Sequence, residues 1–463
     1  MRLYTAFRGG MVAVKQVRVR MVRPGGIGDC FLLSFPKPDG MSHMLIDCGV
    51  LKGTKEGGDR MRAAVADIIK TTEGRLDLLV VTHEHWDHVS GLIQAEDEFK
   101  GLTIGQVWLA WTERPDDDLA KQLREQRAKA RQAVDAARQK LKLSAAPAAS
   151  GVLQALDGLS QFSGDFGAAG GKGTAAAMTW ARARPGAQWL SPEDDPRTIP
   201  GADGVRVFVL GPPKNPERLE QSDPSRRTPE VYQLAGGTDQ GFMAAFIGSG
   251  GMASGHPFDP SFEKSADKAK EDSFFRTRYY SAEDWRQIEL DWLGAAERLA
   301  LQLDSDTNNT SLVLAIELVD SGRVLLFPGD AQIGNWLSWE PLTWQVKDRN
   351  GERVTVTTHD LLARTVLYKV GHHASHNATL REKGLELMKS TELAAMISVY
   401  EEQAHDQGKN GWEMPFPPLL QRLEEKTSNR VFRADHGVPA GWPKEMPNKY
   451  KETDDAIDYW IDM

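Results

Sequence analysis

Seven residues, Thr82 to His88, hold a dense group of metal-binding side chains. They read Thr-His-Glu-His-Trp-Asp-His, so three histidines and an aspartate fall within six positions. Imidazole and carboxylate are the ligand types that borderline divalent metals such as Zn²⁺ prefer. A tight loop after a strand would direct His83 and His85 at one ion, and Asp87 and His88 at a neighbouring ion. The run therefore predicts a two-metal centre, with a polar surface loop as the alternative interpretation.

Short apolar runs stand immediately before this segment and before three other polar motifs. Residues 78–81 are fully apolar, which is typical of a buried strand, and they end at Thr82. The other runs are residues 44–47 before Cys48 and Gly49, 324–327 before Asp330, and 365–370 before His372 and His373. Because each motif follows a strand, we expect the motifs to converge at one edge of the fold.

The histidine motif resembles the H-x-H-x-D-H signature of the metallo-β-lactamase superfamily, which it matches at His83, His85, Asp87 and His88. The resemblance implies a hydrolase with two divalent metal ions, Zn²⁺ or Mn²⁺, and a hydroxide that bridges them. It also implies an α/β fold, the four-layer αβ/βα metallo-β-lactamase sandwich.

Three further motifs are similar to those of the superfamily and fall in the same order. Asp47 stands where an aspartate orients a ligand histidine from behind, a support that metal ligands normally need. The resemblance implies that Asp330 bridges the two ions. It also implies that one histidine of the pair His372 and His373 closes the second site, and His372 is favoured because it comes first. The implied catalytic residues are Asp47, Asp87, Asn309 and Asp330.

Within the superfamily, the chain resembles the soluble hydrolase domain of the competence protein ComEC and its relatives. The segments that carry this resemblance are Gly28-Asp29-Cys30, Asn308-Asn309-Thr310-Ser311, the Pro-Gly-Asp turn and the His-His pair.

The usual third histidine of the first metal site has no clear counterpart. His256 is the one histidine between the signature and Asp330, and it lies in an irregular stretch. The ComEC-like resemblance implies that Asn308 or Asn309 lies near the site instead, bonded to water or substrate. A helix or turn cap is the alternative role for these asparagines.

The order of the predicted elements indicates one decorated domain. The chain has 463 residues, 40% of them apolar and 26% charged, as in a soluble globular protein with a sizeable core. Strands alternate with long irregular segments, so we expect a single domain over residues 12–463. Residues 114–200 form a helical, Ala- and Gly-rich insertion in this interpretation, and residues 214–297 form an irregular one.

Charge and composition limit the partners and the location. A net charge of −9 excludes a protein that coats nucleic acid. The helix predicted from Lys121 to Lys142 nevertheless carries eight basic residues against two acidic ones, so nucleic acid is a candidate partner there, and a solvated helix face is the alternative. Two cysteines, no membrane-length apolar run and no secretory signal indicate a cytoplasmic protein without membrane contacts.

These observations favour a metal-dependent phosphodiesterase, most plausibly a nuclease. A carbonyl-ester, lactone or thioester hydrolase of the same superfamily is the first alternative, although those branches normally have the third histidine. A catalytically weak binding or scaffold protein is the second alternative.

Overall fold

The protein is a mixed α/β chain. A computed structural model describes residues 15–142, 147–163, 173–222, 224, 230–232, 266–280, 291–407, 411–442 and 449–463. Its strands are β1 (Gln16–Val22), β2 (Phe31–Lys37), β3 (Gly40–Ile46), β4 (Arg75–Val81), β5 (Thr103–Ala110), β6 (Ala187–Leu190), β7 (Arg197–Thr198), β8 (Val205–Gly211), β9 (Val313–Leu318), β10 (Arg323–Phe327), β11 (Thr343–Lys347), β12 (Arg353–Thr357), β13 (Thr365–Lys369), β14 (Ala394–Ile397), β15 (Val431–Arg433), β16 (Tyr450–Glu452) and β17 (Ala456–Asp462).

Helices connect many of these strands. They are α1 (Gly57–Thr72), α2 (Trp86–Val89), α3 (Gly91–Gln94), α4 (Glu96–Phe99), α5 (Asp118–Lys142), α6 (Pro147–Ser163), α7 (Thr174–Arg182), α8 (Pro216–Leu219), α9 (Ala266–Glu271), α10 (Ser273–Phe275), α11 (Asp291–Asn308), α12 (Ile333–Leu337), α13 (Thr358–Ala363), α14 (Glu401–His405) and α15 (Pro417–Thr427). The strands expected at residues 78–81, 324–327 and 365–370 are present as β4, β10 and β13.

Most strands belong to two mixed sheets. The first sheet has the order β16-β17-β1-β2-β3-β4-β5-β6, and the second has the order β15-β14-β13-β10-β9-β8-β7. In the first sheet β3, β4, β5 and β6 are parallel, and in the second sheet β10, β13, β14 and β15 are parallel. Because parallel strands end at the same edge, the loops that follow β3 and β4 lie together, as do those that follow β10 and β13.

One apolar core lies between the two sheets. Val19 and Leu78 of the first sheet belong to the same buried cluster as Leu314 and Leu367 of the second. Each fully buried aliphatic side chain of this kind stabilises the fold by roughly 1.5–3 kcal/mol. The two sheets are therefore packed face to face.

Helices cover the outer faces of both sheets. Met61, Val65 and Ile68 of α1 pack on the first sheet, and their three- and four-residue spacing places them on one face of the helix. On the second sheet, Trp336 of α12 and Leu423 of α15 belong to the outer core.

Helices α5 and α6, from the first predicted insertion, pack on α11, which begins at the end of the second predicted insertion and continues beyond it. Val134 and Leu141 of α5, Leu156 of α6 and Ala300, which lies in α11, form one small buried cluster. The range 114–200 is not an insertion throughout, because its strand β6 pairs with β5 and extends the first sheet. Most of the range 214–265 lies outside the described residues.

No helix in the described ranges is long and apolar enough to cross a membrane.

Candidate metal centre

The loop after β4 carries His83 and His85, and the short helix α2 carries Asp87 and His88. All four side chains are buried. Gly49 lets this segment approach the end of β3, because a Cβ at that position would lie 2.4 Å from the carbonyl carbon of Asp87. The ligand loop is thus held directly against the neighbouring strand.

The Pro-Gly-Asp turn after β10 presents Asp330. Gly329 has a φ of 57°, a left-handed conformation that glycine adopts without strain. The Asp330 backbone N–H donates to Oγ of Ser311 at 3.0 Å, and the Asp330 side chain is fully buried. The turn therefore directs the carboxylate into the protein, towards α2.

A left-handed turn after β13 presents the histidine pair. His372, His373 and Ala374 have φ values of 43°, 49° and 65°, which is uncommon for residues with a Cβ. The turn separates the two imidazole rings, whose centroids lie 6.3 Å apart. Adjacent histidines therefore reach different surroundings.

Side chains from these three loops converge on one point. Ligand atoms of Asp87, His88, Asp330 and His373 all lie within 4.8 Å of one another. Nε2 of His373 is 2.9 Å from Oδ2 of Asp87, and Nε2 of His88 is 3.1 Å from Oδ2 of Asp330. Two atoms that bind one ion at about 2 Å lie about 3–3.5 Å apart, so these separations suit a shared divalent ion.

Unsatisfied polar atoms support this interpretation. In the part of the chain that the structure describes, Oδ1 of Asp87 is buried without a hydrogen-bond partner. Nε2 of His88 and Oδ2 of Asp330 are also buried, and although they lie 3.1 Å apart they are not aligned for a hydrogen bond. Buried polar groups are normally paired, because an unpaired one costs roughly 1–3 kcal/mol. A cation coordinated by these atoms would satisfy them, and the carboxylate and imidazole donors suit Zn²⁺ or Mn²⁺.

Asp87, His88, Asp330 and His373 are called the four-residue group below. Each of its two histidines is oriented by a hydrogen bond from Nδ1 of its ring. Nδ1 of His88 donates to Asp47 at 2.8 Å, and Nδ1 of His373 donates to the carbonyl oxygen of Ser398 at 3.0 Å. These bonds leave Nε2 of both rings facing the carboxylates of the group. Asp47 therefore lies behind His88 and fixes the orientation of its ring.

His83 and His85 form a second, adjacent pair. Thr82 donates its hydroxyl hydrogen to Asp47 at 2.7 Å, so its oxygen accepts from Nδ1 of His83 at 3.0 Å. Nε2 of His83 then faces Nδ1 of His85 at 3.1 Å. Burial lowers the pKa of both rings, to about 3 for His85, and neutral imidazoles are the form that binds metal.

In the four-residue group the pKa values of the histidines shift upward, opposite to those of His83 and His85. Burial disfavours charge on His88 and His373, but the carboxylates of Asp330 and Asp87 outweigh it and raise the pKa of both rings. Burial likewise disfavours charge on Asp330, yet His88 and His373 hold the pKa of Asp330 well below its usual range. Without metal, cationic imidazoles therefore neutralise the buried carboxylates, a role that a divalent ion would take over.

Sequence reasoning missed a buried ion pair behind the centre. Nζ of Lys369 pairs with the carboxylate of Asp29 and lies 3.5 Å from Oδ1 of Asp330. The other oxygen of Asp29 accepts from the hydroxyl of Ser398. Asp29 stands in the Gly-Asp-Cys motif, and Lys369 precedes the His-His motif. Their positions in or beside these motifs were the sequence feature that could have identified the pair.

The structure changes the assignment of the His-His pair. His373, not the favoured His372, belongs to the four-residue group. The His372 backbone N–H donates to Oδ1 of Asp330 at 3.0 Å, while its Nδ1 is buried and has no hydrogen-bond partner among the described residues.

Asn309 has the capping role that was the alternative interpretation, because it accepts from backbone N–H groups at the N-terminus of α12. Nδ2 of Asn309 donates to the carbonyl oxygen of Gln221 at 2.9 Å, and its Oδ1 accepts from backbone N–H groups of Gln332 and Asn335. The side chain is thus engaged in joining loops, and the structure does not bring Asn309 to the ligand group. Asn308, the preceding residue, is also buried. His256 lies outside the described residues.

Two aromatic side chains cover the His85 side of the centre. The ring of Phe162, in α6, lies 5.5 Å from the His85 ring and stacks on Trp412 at 4.9 Å. Phe162 is itself buried. Helix α6, from the Ala- and Gly-rich segment, therefore lies directly over the histidine pair.

The basic helix uses its arginines inside the protein. Arg127 pairs with Glu113 at 3.0 Å, and Arg131 donates to both carboxylate oxygens of Glu84 at 2.8 and 2.9 Å. Both arginines are buried, so they are not exposed to a phosphate backbone. The exposed basic residues of α5 are Lys121, Lys129, Lys140 and Lys142.

No family model and no curated protein matches this chain.

Proposed function

We propose that this protein is a metal-dependent hydrolase of the metallo-β-lactamase superfamily. The observation that carries the proposal is the convergence of Asp87, His88, Asp330 and His373 within 4.8 Å of one another. These residues come from three distant segments of the sequence. Their arrangement after β4, β10 and β13 agrees with the order of the superfamily motifs.

The architecture supports the same assignment. Two mixed sheets share one core, and helices pack on the outer face of each sheet. This layering is what the four-layer αβ/βα sandwich of the superfamily requires. The candidate centre lies at the carboxyl ends of strands from both sheets, where loops can supply ligands without disturbing the core.

The residues divide into two sets. Asp87, His88, Asp330 and His373 would hold one ion, and His83 and His85 would hold the other. The bound ions would supply Lewis acidity and lower the pKa of a water molecule. Asp47 holds His88 in orientation, while the cationic Lys369 lies beside Asp330.

A phosphodiester is the substrate that we propose, with nucleic acid as one form of it. The similarity to ComEC-like hydrolase domains favours this class over lactones and thioesters. The exposed lysines of α5 are available to contact a phosphate backbone, whose binding depends on the release of counterions.

The test measures hydrolysis by the purified protein loaded with Zn²⁺ or Mn²⁺. Substrates are bis-p-nitrophenyl phosphate, single- and double-stranded DNA, RNA, p-nitrophenyl acetate and a thioester. We expect cleavage of the diester, and a loss of at least about 100-fold in Asp87→Asn and Asp330→Asn, because both carboxylates lie in the ligand group.

Asp77→Asn is the matched control. Asp77 is also a buried carboxylate, but it accepts from His43 and Arg75 away from the centre, so activity should remain near wild type. Cleavage of carbonyl substrates alone would overturn the phosphodiester assignment in favour of an esterase. Metal-loaded protein that hydrolyses none of the substrates would favour a binding or scaffold role.

A further inference from the structure

The first metal pair, His83 and His85, has an unusual neighbour in helix α11. Oδ1 of Asp304 lies 3.6 Å from Nε2 of His85. That oxygen is buried, and no hydrogen-bond partner for it exists in the described part of the chain. Its other oxygen, Oδ2, accepts from Nδ2 of Asn308 at 3.3 Å. The carboxylate is therefore held from one side and open towards the imidazole on the other.

The two nitrogens of His85 have distinct surroundings. Nδ1 faces Nε2 of His83 at 3.1 Å, a separation that suits two atoms bound to one ion. Nε2 lies on the opposite side of the ring, towards Asp304. These residues would hold an ion through Nε2 of His83 and Nδ1 of His85, and Nε2 of His85 would then carry the proton.

The other histidines of the centre indicate that the Nε2 proton of His85 should also have a hydrogen-bond acceptor. His88 donates from its non-coordinating nitrogen to Asp47, His373 donates to Ser398, and His83 donates to Thr82. Nε2 of His85 is the remaining nitrogen of this kind, and Asp304 is the acceptor that the fold places before it. A shift of a few tenths of an ångström would bring 3.6 Å to hydrogen-bond length.

We propose that Asp304 is a positioning residue for the first metal site. It accepts a hydrogen bond from Nε2–H of His85 and directs Nδ1 of that ring at the ion. Asn308 holds the carboxylate in place, which gives the asparagine motif a role one step removed from the metal. The proposal rests on the proposed metal centre and assigns a partner that the histidine signature does not contain.

The test compares Asp304→Asn and Asp304→Glu with Asp306→Asn in the full-length chain. Asp306 is the matched control, since it lies on the same helix and its carboxylate accepts from Gln302. Zn²⁺ binding is measured by competition with a chromogenic chelator and by the metal content after gel filtration. The ¹⁵N chemical shifts of the His85 ring report which nitrogen carries the proton.

We expect Asp304→Asn to weaken one of two Zn²⁺ sites by about 10–100-fold and leave the other unchanged. The His85 ring should lose its single Nε2–H tautomer, Asp304→Glu should restore part of the affinity, and Asp306→Asn should resemble wild type. Unchanged Zn²⁺ affinity and an unchanged His85 tautomer in folded Asp304→Asn would overturn the proposal. Two tight sites without hydrolysis would contradict the proposed function and leave this inference intact.

Discussion

Asp47 shows how a single residue can orient a histidine of the candidate centre. Its backbone is left-handed, with a φ of 56°, at the point where β3 ends. Its carboxylate accepts from the backbone N–H and the hydroxyl of Thr82 and from Nδ1 of His88. Three hydrogen bonds thus join Asp47, at the end of β3, to Thr82, at the end of β4, and to the ring of His88.

Replacing Asp47 by asparagine should weaken metal binding without unfolding the protein. The amide keeps the shape of the side chain, but its nitrogen cannot accept the proton of His88. We expect about 10–100-fold weaker Zn²⁺ affinity at the four-residue site, measured by calorimetric titration. Asp77→Asn, a buried carboxylate remote from the site, should bind as wild type does. Equal losses in both variants would indicate a general effect on folding.

Helices α5, α6 and α11 act together at the scale of whole elements. They share a small apolar cluster, and each directs one side chain at the loop after β4. Arg131 of α5 binds Glu84, Phe162 of α6 lies over His85, and Asp304 of α11 lies beside the same ring. Helices α5 and α6, which belong to the segment predicted as the first insertion, are therefore part of the surroundings of the candidate site.

The pair between Arg131 and Glu84 gives a prediction at this scale. Burial by itself raises the pKa of Glu84, but Arg131 and Arg127 outweigh it and lower this pKa to about 2. Arg131→Met leaves Glu84 buried without its partner, so we expect a loss of about 3–5 kcal/mol in the free energy of unfolding.

Lys129→Met is the control for Arg131→Met, because Lys129 is exposed on the same helix. Its free energy of unfolding should change by less than about 0.5 kcal/mol. Urea denaturation measures both variants. A loss below 1 kcal/mol in Arg131→Met would contradict the role of this pair in holding the ligand loop.

Across the whole molecule, the candidate centre joins the two sheets. Asp87 and His88 follow a strand of the first sheet, while Asp330 and His373 follow strands of the second. An ion shared by these four residues would connect both halves of the fold. Metal should therefore contribute to global stability as well as to chemistry.

Removal of metal should lower the melting temperature in a pH-dependent way. Zn²⁺ at 100 times its Kd stabilises the folded state by about 2.7 kcal/mol. In the metal-free protein, the pKa values of His88 and His373 lie above 6.5, so their stabilising contribution is complete below pH 6.5 and is lost as the pH rises through the folded-state values. Metal requires these rings neutral, so the difference between Zn²⁺-loaded and EDTA-treated protein should widen as the pH rises.

Thermal melts at pH 6.0, 7.0 and 8.0 measure this difference. Asp330→Asn serves as the comparison, since it lacks one carboxylate of the four-residue group. Zn²⁺ should change its melting temperature little at every pH. A constant difference across the three pH values in the wild type would contradict the proton competition.

The amino-acid sequence by itself determined several buried strands and the polar residues that follow them. Apolar runs at β4, β10 and β13 predict buried strands from local composition alone. His83, His85, Asp87 and His88 were identified from their density after β4, whereas the resemblance to the superfamily implied Asp47 and Asp330. Local sequence is sufficient for such features because strand formation and ligand chemistry depend on neighbouring residues.

Tertiary structure alone decided which histidine of the pair meets Asp87 and what surrounds His85. The left-handed turn at His372 and His373 selects between two adjacent rings that are equivalent in sequence. The contact between Asp304 and His85, and the burial of Arg131 against Glu84, join residues that are distant along the chain. Their energies depend on packing between the sheets and the helices of the insertions, which no local pattern encodes.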